Sequence, residues 1–361
     1  MWTYFIVDTV TGEKLEQVTP LDGGFTRRLN ETTGGQHTFA TSAFGAGATV
    51  HERRGARLDL TRPWHRTLVQ CWNGRPRYAG VITRRTPKAS GGTFSIDHKD
   101  VREILKARTT LGVDGYSGKT DGAFTITKET LASLVGHLLW VSMQGATDQW
   151  RLPLVLPPRG VAGEESRTWH DYNLPVIETE LTELQNTDGG PDVDFYPRWS
   201  ASGALEWEVR VGALSGPQLE WNLNTDQPEL VLVDFVEDGL NQGTTFYAVG
   251  DGSEVDLLVR TARTSTNGPA LERIESYSQV DDGDTLQKHA SADARAFAAP
   301  TREYRFVMRA DGRPGVNDLV LGQIIRTYST GDEWLLAGWT EHRLVGFTCD
   351  TTTTVQLHVQ S

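Results

Sequence analysis

Apolar and polar residues alternate over most of the first hundred positions, the period-two pattern of strands with one face in a core. "YFIVDTVTGEKLEQV" reads as two strands around a turn at Thr11-Gly12. "RLDLTRPWHRTLVQCWNGRPRYAGVITRR" reads as another pair, and Asn73-Gly74 is the strongest hairpin signal in the chain. Val69, Cys71, Tyr78 and Val81 supply apolar side chains around that turn. Pro76 has no N–H to donate, which predicts that the return segment lies at a sheet edge. "GTFSIDH" is a further strand.

From about Asp97 the period lengthens to that of a helix. "DHKDVREILKAR" places Val101, Ile104 and Leu105 on one face. "TKETLASLVGHLLWVSMQG" does the same with Leu131, Leu134, Val135, Leu138 and Leu139, with Thr127 as the expected N-cap and Gly145 as the stop. After the extended, Pro-rich "RLPLVLPPRG", a third helix is predicted in "PVIETELTELQNT", with Pro175 in its first turn and Ile177, Leu181 and Leu184 inward. A hairpin of "DVDFYPRWS" and "ALEWEVRVG" follows, turning at Ser202-Gly203.

The last third returns to strands: "ELVLVDFVEDG", "TTFYAVGDG", and four or five more after "EYRFVMRADGRPG". One Ala-rich helix, "GDTLQKHASADARAFAAP", interrupts them, with Asp284 and Gln287 as a capping-box pair and Pro300 as terminator. The pattern predicts a mixed, β-rich chain with an α+β insert between two β regions. The first region and the last share an outline, as an internal duplication would leave.

At 361 residues the chain is too long for one ordinary core. Its 38% hydrophobic and 23% charged residues are a globular rather than a disordered balance. Eleven tryptophans and 37 glycines agree with many strands and tight turns. No apolar run approaches the roughly 20 residues of a membrane helix. "MWTYFIVDTVTGEK" lacks the basic head of a signal peptide, so synthesis and assembly in the cytoplasm are expected. A net charge of −12 argues against a nucleic-acid clamp. Cys71 and Cys349 lie among alternating residues and read as buried small hydrophobes, not as a disulfide framework.

Motifs that demand a mechanism are missing. Gly118-Lys119-Thr120 imitates a phosphate loop, but Val113 stands where its first glycine belongs. The nine histidines make no zinc spacing, and "GALSG" puts its serine one place too late for a nucleophile elbow. Trp169-His170-Asp171 sets a histidine beside a carboxylate, but neighbours in an extended segment point to opposite faces. The nearest approach to a site is "NTDGGPDVDFYPRW", where Asp188, Asp192 and Asp194 crowd around Gly189 and Gly190. Counted from Asp188, a calcium loop would need glycine at Val193 and glutamate at Trp199, so that register fails. These aspartates are the only cation candidates; no catalytic residue and no cofactor are expected. The two glycines and Pro191 suffice to end a helix and launch a strand.

Three stretches resemble the minor tail proteins, or tail hubs, of long non-contractile-tailed bacteriophages that infect actinobacteria. They are "RPWHRTLVQCWNGRPRYAGVITRR", "TELQNTDGGPDVDFYPRWSASGALEWEVRVG", and the helix at Asp284–Ala298 with "FVMRADGRP" and "GWTEHRLVGFTCD". The resemblance implies two tail-tube-like β-barrel domains, each with a helix, at residues 1–100 and 226–361, and an α+β insert at 101–225. It also implies a non-enzymatic virion protein at the tail tip, three copies of which form a pseudo-six-fold ring. Its partners there are a distal tail protein, a tape-measure protein and other minor tail or receptor-binding proteins. Genomic DNA passes through the lumen without specific binding, and acidic walls would let it slide. Two rivals stand beside this reading. One is a hexameric distal tail ring protein. The other is a carbohydrate-binding or cell-wall-degrading protein with Trp199, Trp207 and Trp221 as sugar platforms, although aromatics at strand spacing more often fill cores.

Overall fold

The computed structural model describes all residues except 45–48, 89–91, 114–120, 146, 253–255, 266–267, 278–279, 332–333 and 361. The Gly118-Lys119-Thr120 loop lies outside the described residues. The first hairpin forms as read, with Trp2–Asp8 pairing both Lys14–Val18 and Arg66–Trp72. Asp8 Oδ1 accepts from the backbone of Val10 and Thr11 and fixes the turn. Gly12 closes it at φ 71°, where a Cβ would lie 2.1 Å from the Leu205 carbonyl oxygen. Gly12→Ala therefore strains the backbone and drives the turn off the insert. We expect it to lower stability by about 2 kcal/mol in urea unfolding.

Asn73 and Gly74 both take positive φ, as a two-residue primed turn requires. The return strand, Arg75–Pro87, is not at an edge: it pairs Arg66–Trp72 on one side and Thr93–Asp100 on the other. Pro76 is tolerated because it sits opposite Cys71, where the register slips between Gln70 and Cys71.

Thirteen strands form one sheet that joins the two ends of the chain. The junction is Asp22–Arg28 against Gly338–Asp350, with Phe25 opposite Cys349. Among the described residues neither this sheet nor the smaller ones closes on itself, so the separate barrels expected from the resemblance are not seen. Alternation explains how the sheet serves two cores. Trp2, Tyr4, Ile6, Leu68 and Tyr78 turn to the core shared with the last third, where Phe25, Phe306, Phe347 and Leu357 meet them. Val7, Val69, Cys71 and Ala79, on the other face, join the core of the insert.

Four α-helices are described. α1 (Val50–Leu60) was not expected from periodicity, since only Leu60 is buried; Thr49 and Glu52 cap it reciprocally. α2 (Leu131–Val141) buries Leu134, Val135, Leu138 and Leu139 as predicted, but its cap is Thr130, and Thr127 lies in the strand Ala123–Glu129. It ends at Ser142, short of Gly145. α3 (Ile177–Gln185) buries Ile177, Leu181 and Leu184, and starts just after Pro175. α4 (Gly283–Phe297) is capped by Asp282, which accepts from Thr285, so Asp284 falls inside the first turn. Val101–Ala107 is a 3-10 helix rather than an α-helix, held by Asp100 accepting from the Arg102 amide. No helix among the described residues is long and apolar enough to cross a membrane.

Candidate functional site

The hairpin predicted at the aspartate corner forms from Asp192–Trp199 and Leu205–Gly212. Two residues apart on one strand, Asp192 and Asp194 share a face. Gly189 ends the preceding segment at φ 74°, as that corner needs. The structure then gives each aspartate an arginine.

Asp194 is buried, with Arg27 Nη2 at 2.5 Å from Oδ1. Arg210, its direct cross-strand neighbour, donates to Oδ2. Burial alone would raise this carboxyl; Arg27 and Arg210 outweigh burial and hold it below the usual carboxylate range. Asp192 accepts from Asn30 at 3.1 Å and from Arg343. Asp188 pairs with Arg295 of α4. Guanidinium groups thus stand where a cation would sit, and among the described residues no three His, Cys, Asp or Glu side chains converge as a metal site.

A second layer holds the arginines. Arg27 also donates to the Arg77 carbonyl at 3.2 Å. Arg77, itself buried, donates to the Leu319 carbonyl at 2.7 Å and the Tyr196 hydroxyl at 3.4 Å. Burial brings the Arg77 guanidinium down to about 10, still charged at neutral pH. The Tyr196 ring lies 4.6 Å from Arg210 and 5.6 Å from Arg27, a cation–π stack. The corner therefore ties three parts of the chain. Arg27, Asn30 and Arg77 come from the first third, Asp192, Asp194 and Arg210 from the insert, and Leu319 and Arg343 from the last third. Its chemistry is that of a fastener: every charged oxygen named here is engaged.

The other candidates are placed as follows. Trp169 is buried and donates to Glu180 at 2.8 Å, while His170 stacks on Tyr172. Trp207 and Trp221 are buried. Trp199 donates to the Gly74 carbonyl and lies 3.8 Å under the Lys14 ammonium, so none of the three offers an open face to a sugar. Cys71 and Cys349 are free and buried, and burial pushes the Cys71 thiol up to about 12. Sequence reading missed a buried chain of His37, His98 and Tyr78, linked by contacts of 2.8 Å. Burial lowers His37 to about 4 and keeps it neutral. These three residues come from three strands, and no local spacing announces them.

No protein-family model and no curated protein matches the chain. Solved structures do. A tail protein from Neisseria meningitidis shares 12% identity at a TM-score of 0.56, over 100% of this chain and 96% of its own. The 43 kDa tail protein of prophage MuSo2 from Shewanella oneidensis shares 11% at 0.58, over 99% and 98%. A prophage tail protein from Listeria monocytogenes shares 10% at 0.51, over 99% and 94%. The fold is that of bacteriophage tail proteins. Its extent matters, since the tail-protein architecture accounts for the insert as well as the large sheet. At such low identity the likeness is one of architecture.

Proposed function

We propose that this chain is a structural virion protein, the tail-tip or baseplate hub. Three copies form a ring that continues the tail tube, lines the DNA channel and anchors host-recognition proteins. The observation that carries the reading is the end-to-end likeness to three tail proteins. The sequence resemblance carries the narrower assignment, to long non-contractile tails of phages infecting actinobacteria and to a division near residues 100 and 225. Within it, distal tail, tape-measure and receptor-binding proteins are the neighbours, and the net charge of −12 suits a lumen that repels DNA. The role is non-enzymatic, in keeping with aspartates consumed by arginines.

The ends of the large sheet support ring formation. Leu230–Asp238 lies at one end of the strand order and Lys14–Val18 at the other. Unpaired edges are templates for another chain. Val231, Val233 and Val236 are exposed along the first. Substituting both Val231 and Val233 with Asp is expected to weaken assembly at least tenfold while the monomer keeps its fold, read by sedimentation.

Native mass spectrometry of the purified chain tests the reading, with three copies expected. Six copies would move it to the distal tail ring. Clearing of host cell walls by the purified chain would overturn the non-enzymatic role.

A further inference from the structure

The large sheet is interrupted in its last third by a self-contained unit. Asp238 and Thr301 face each other as a cross-strand pair, so the chain leaves and re-enters the sheet at one point. Between them lie three strands, Thr245–Val249 in the middle with Val259–Arg263 and Glu272–Ser276 on either side, and α4. The neck is closed by its own hydrogen bonds. The Gly243 amide donates to the Phe297 carbonyl at 3.0 Å, and the Gln242 side chain donates to the Ala298 carbonyl at 3.1 Å.

This unit has its own core of Ala248, Tyr277, Val280, Leu286 and Ala290. None of the three apolar clusters among the described residues crosses from the unit to the rest of the chain. What crosses is polar. Lys288 reaches Glu165 at 2.6 Å, Arg295 reaches Asp188, and His289 meets the Thr187 hydroxyl at 3.4 Å. All three contacts start from α4, and all three end on the insert. With no apolar cluster shared among the described residues, the docking face is polar: His289 and Thr187 are buried in it and the two ion pairs lie at its partly exposed rim. Each partly exposed ion pair shifts a closed-to-open ratio by no more than about fivefold.

We propose that residues 239–300 form a hinged module. It moves as one body about the Asp238–Thr301 neck, and the clasp of Lys288–Glu165, Arg295–Asp188 and His289–Thr187 holds it against the insert. Two adjacent chain crossings and a private core are what an inserted domain needs to move without unfolding. Asp188 is then a clasp residue, distinct in role from Asp192 and Asp194, which fasten the permanent junction. The inference stands on this geometry and does not depend on the tail-hub reading.

The test uses the full chain with spin labels at Thr127→Cys, on an exposed strand of the insert, and Thr261→Cys, on the module. Pulsed electron resonance should give one narrow distance distribution in the parent. Adding Glu165→Gln and Asp188→Asn removes the clasp charges and keeps their shape. We expect a second, longer distance whose population grows about tenfold, with near-ultraviolet circular dichroism unchanged. Lys288→Ala with Arg295→Ala, made from the other side of the clasp, should give the same second distance. An unchanged single distance in both pairs overturns the proposal. So does broadening that accompanies loss of the native circular dichroism, because the module would then be melting rather than swinging.

Discussion

Asp194→Ala is expected to destabilise the protein by about 3–5 kcal/mol in urea unfolding, the largest loss from any single polar substitution named here. The carboxylate is buried, and Arg27 and Arg210 both donate to it. Removing it leaves two guanidinium groups facing each other, one of them buried, with no anion between them. Asp194→Asn keeps the shape and loses the charge, and it should fall most of the way to the alanine variant. If the loss is the cost of stranded charge, a triple variant with apolar residues at 27, 194 and 210 should recover much of it, because a well-packed apolar group needs no counter-ion. A loss below about 1 kcal/mol for Asp194→Ala would mean that water reaches the corner and the fastener is dispensable.

The second large effect is a pH dependence centred on α3. Glu180 is buried beneath Trp169, and burial, with the neighbouring Glu183, raises its carboxyl from 4.5 to about 8. A carboxyl raised on folding favours the folded state in its protonated form. Its contribution is complete below pH 4.5, declines as the unfolded chain ionises, and is fully lost once the pH passes about 8. Glu183, raised to about 7 mainly by burial, acts in the same direction over a narrower range. Taken in full, the two shifts correspond to a loss of about 6 kcal/mol in the parent between pH 5 and pH 8.5, about 4 of it from Glu180. Glu180→Gln keeps an acceptor for the Trp169 N–H and cannot ionise. It should flatten the profile and be more stable than the parent above pH 7, read by thermal melts across the range. A parent profile that is already flat, or a variant that loses stability as steeply, would remove Glu180 from the account.

What the sequence reveals follows from the range of each interaction. The alternation in Trp2–Asp8 and the Asn73-Gly74 turn are local signals, and both formed as read. The inward faces of α2 and α3 were legible for the same reason, because a 3.6-residue period survives whatever the helix packs against. Cap positions slipped where tertiary pairing chose between candidates. Thr127 and Thr130 are both chemically suited, but the strand Glu165–His170 draws residues 123–129 into a sheet and leaves the cap to Thr130. Pro76 suggested an edge because a proline normally cannot stand inside a sheet. The slip at Cys71 that accommodates it is a property of two strands, not of one. α1 carried a capping box at Thr49 and Glu52, but with one buried residue it had no apolar stripe to announce it.

The aspartate corner divides in the same way. That Asp192 and Asp194 share a face was readable from their spacing. That their partners are arginines was not, since Arg27 stands 167 positions before Asp194 and Arg343 stands 151 after Asp192. The join between the first and last thirds was also hidden: a predicted strand carries no mark of its neighbour. Only the strand order reveals that residues 22–28 and 338–350 lie side by side and make one sheet of two regions.

The central claim is that three of these chains build one ring at the tail tip. Class-averaged cryo-electron micrographs of the assembled protein, taken without imposed symmetry, test it most directly. The account predicts three copies around an open axis, with the edge at Leu230–Asp238 of each against the next. Six equivalent copies, or an assembly with no axial opening, would contradict it.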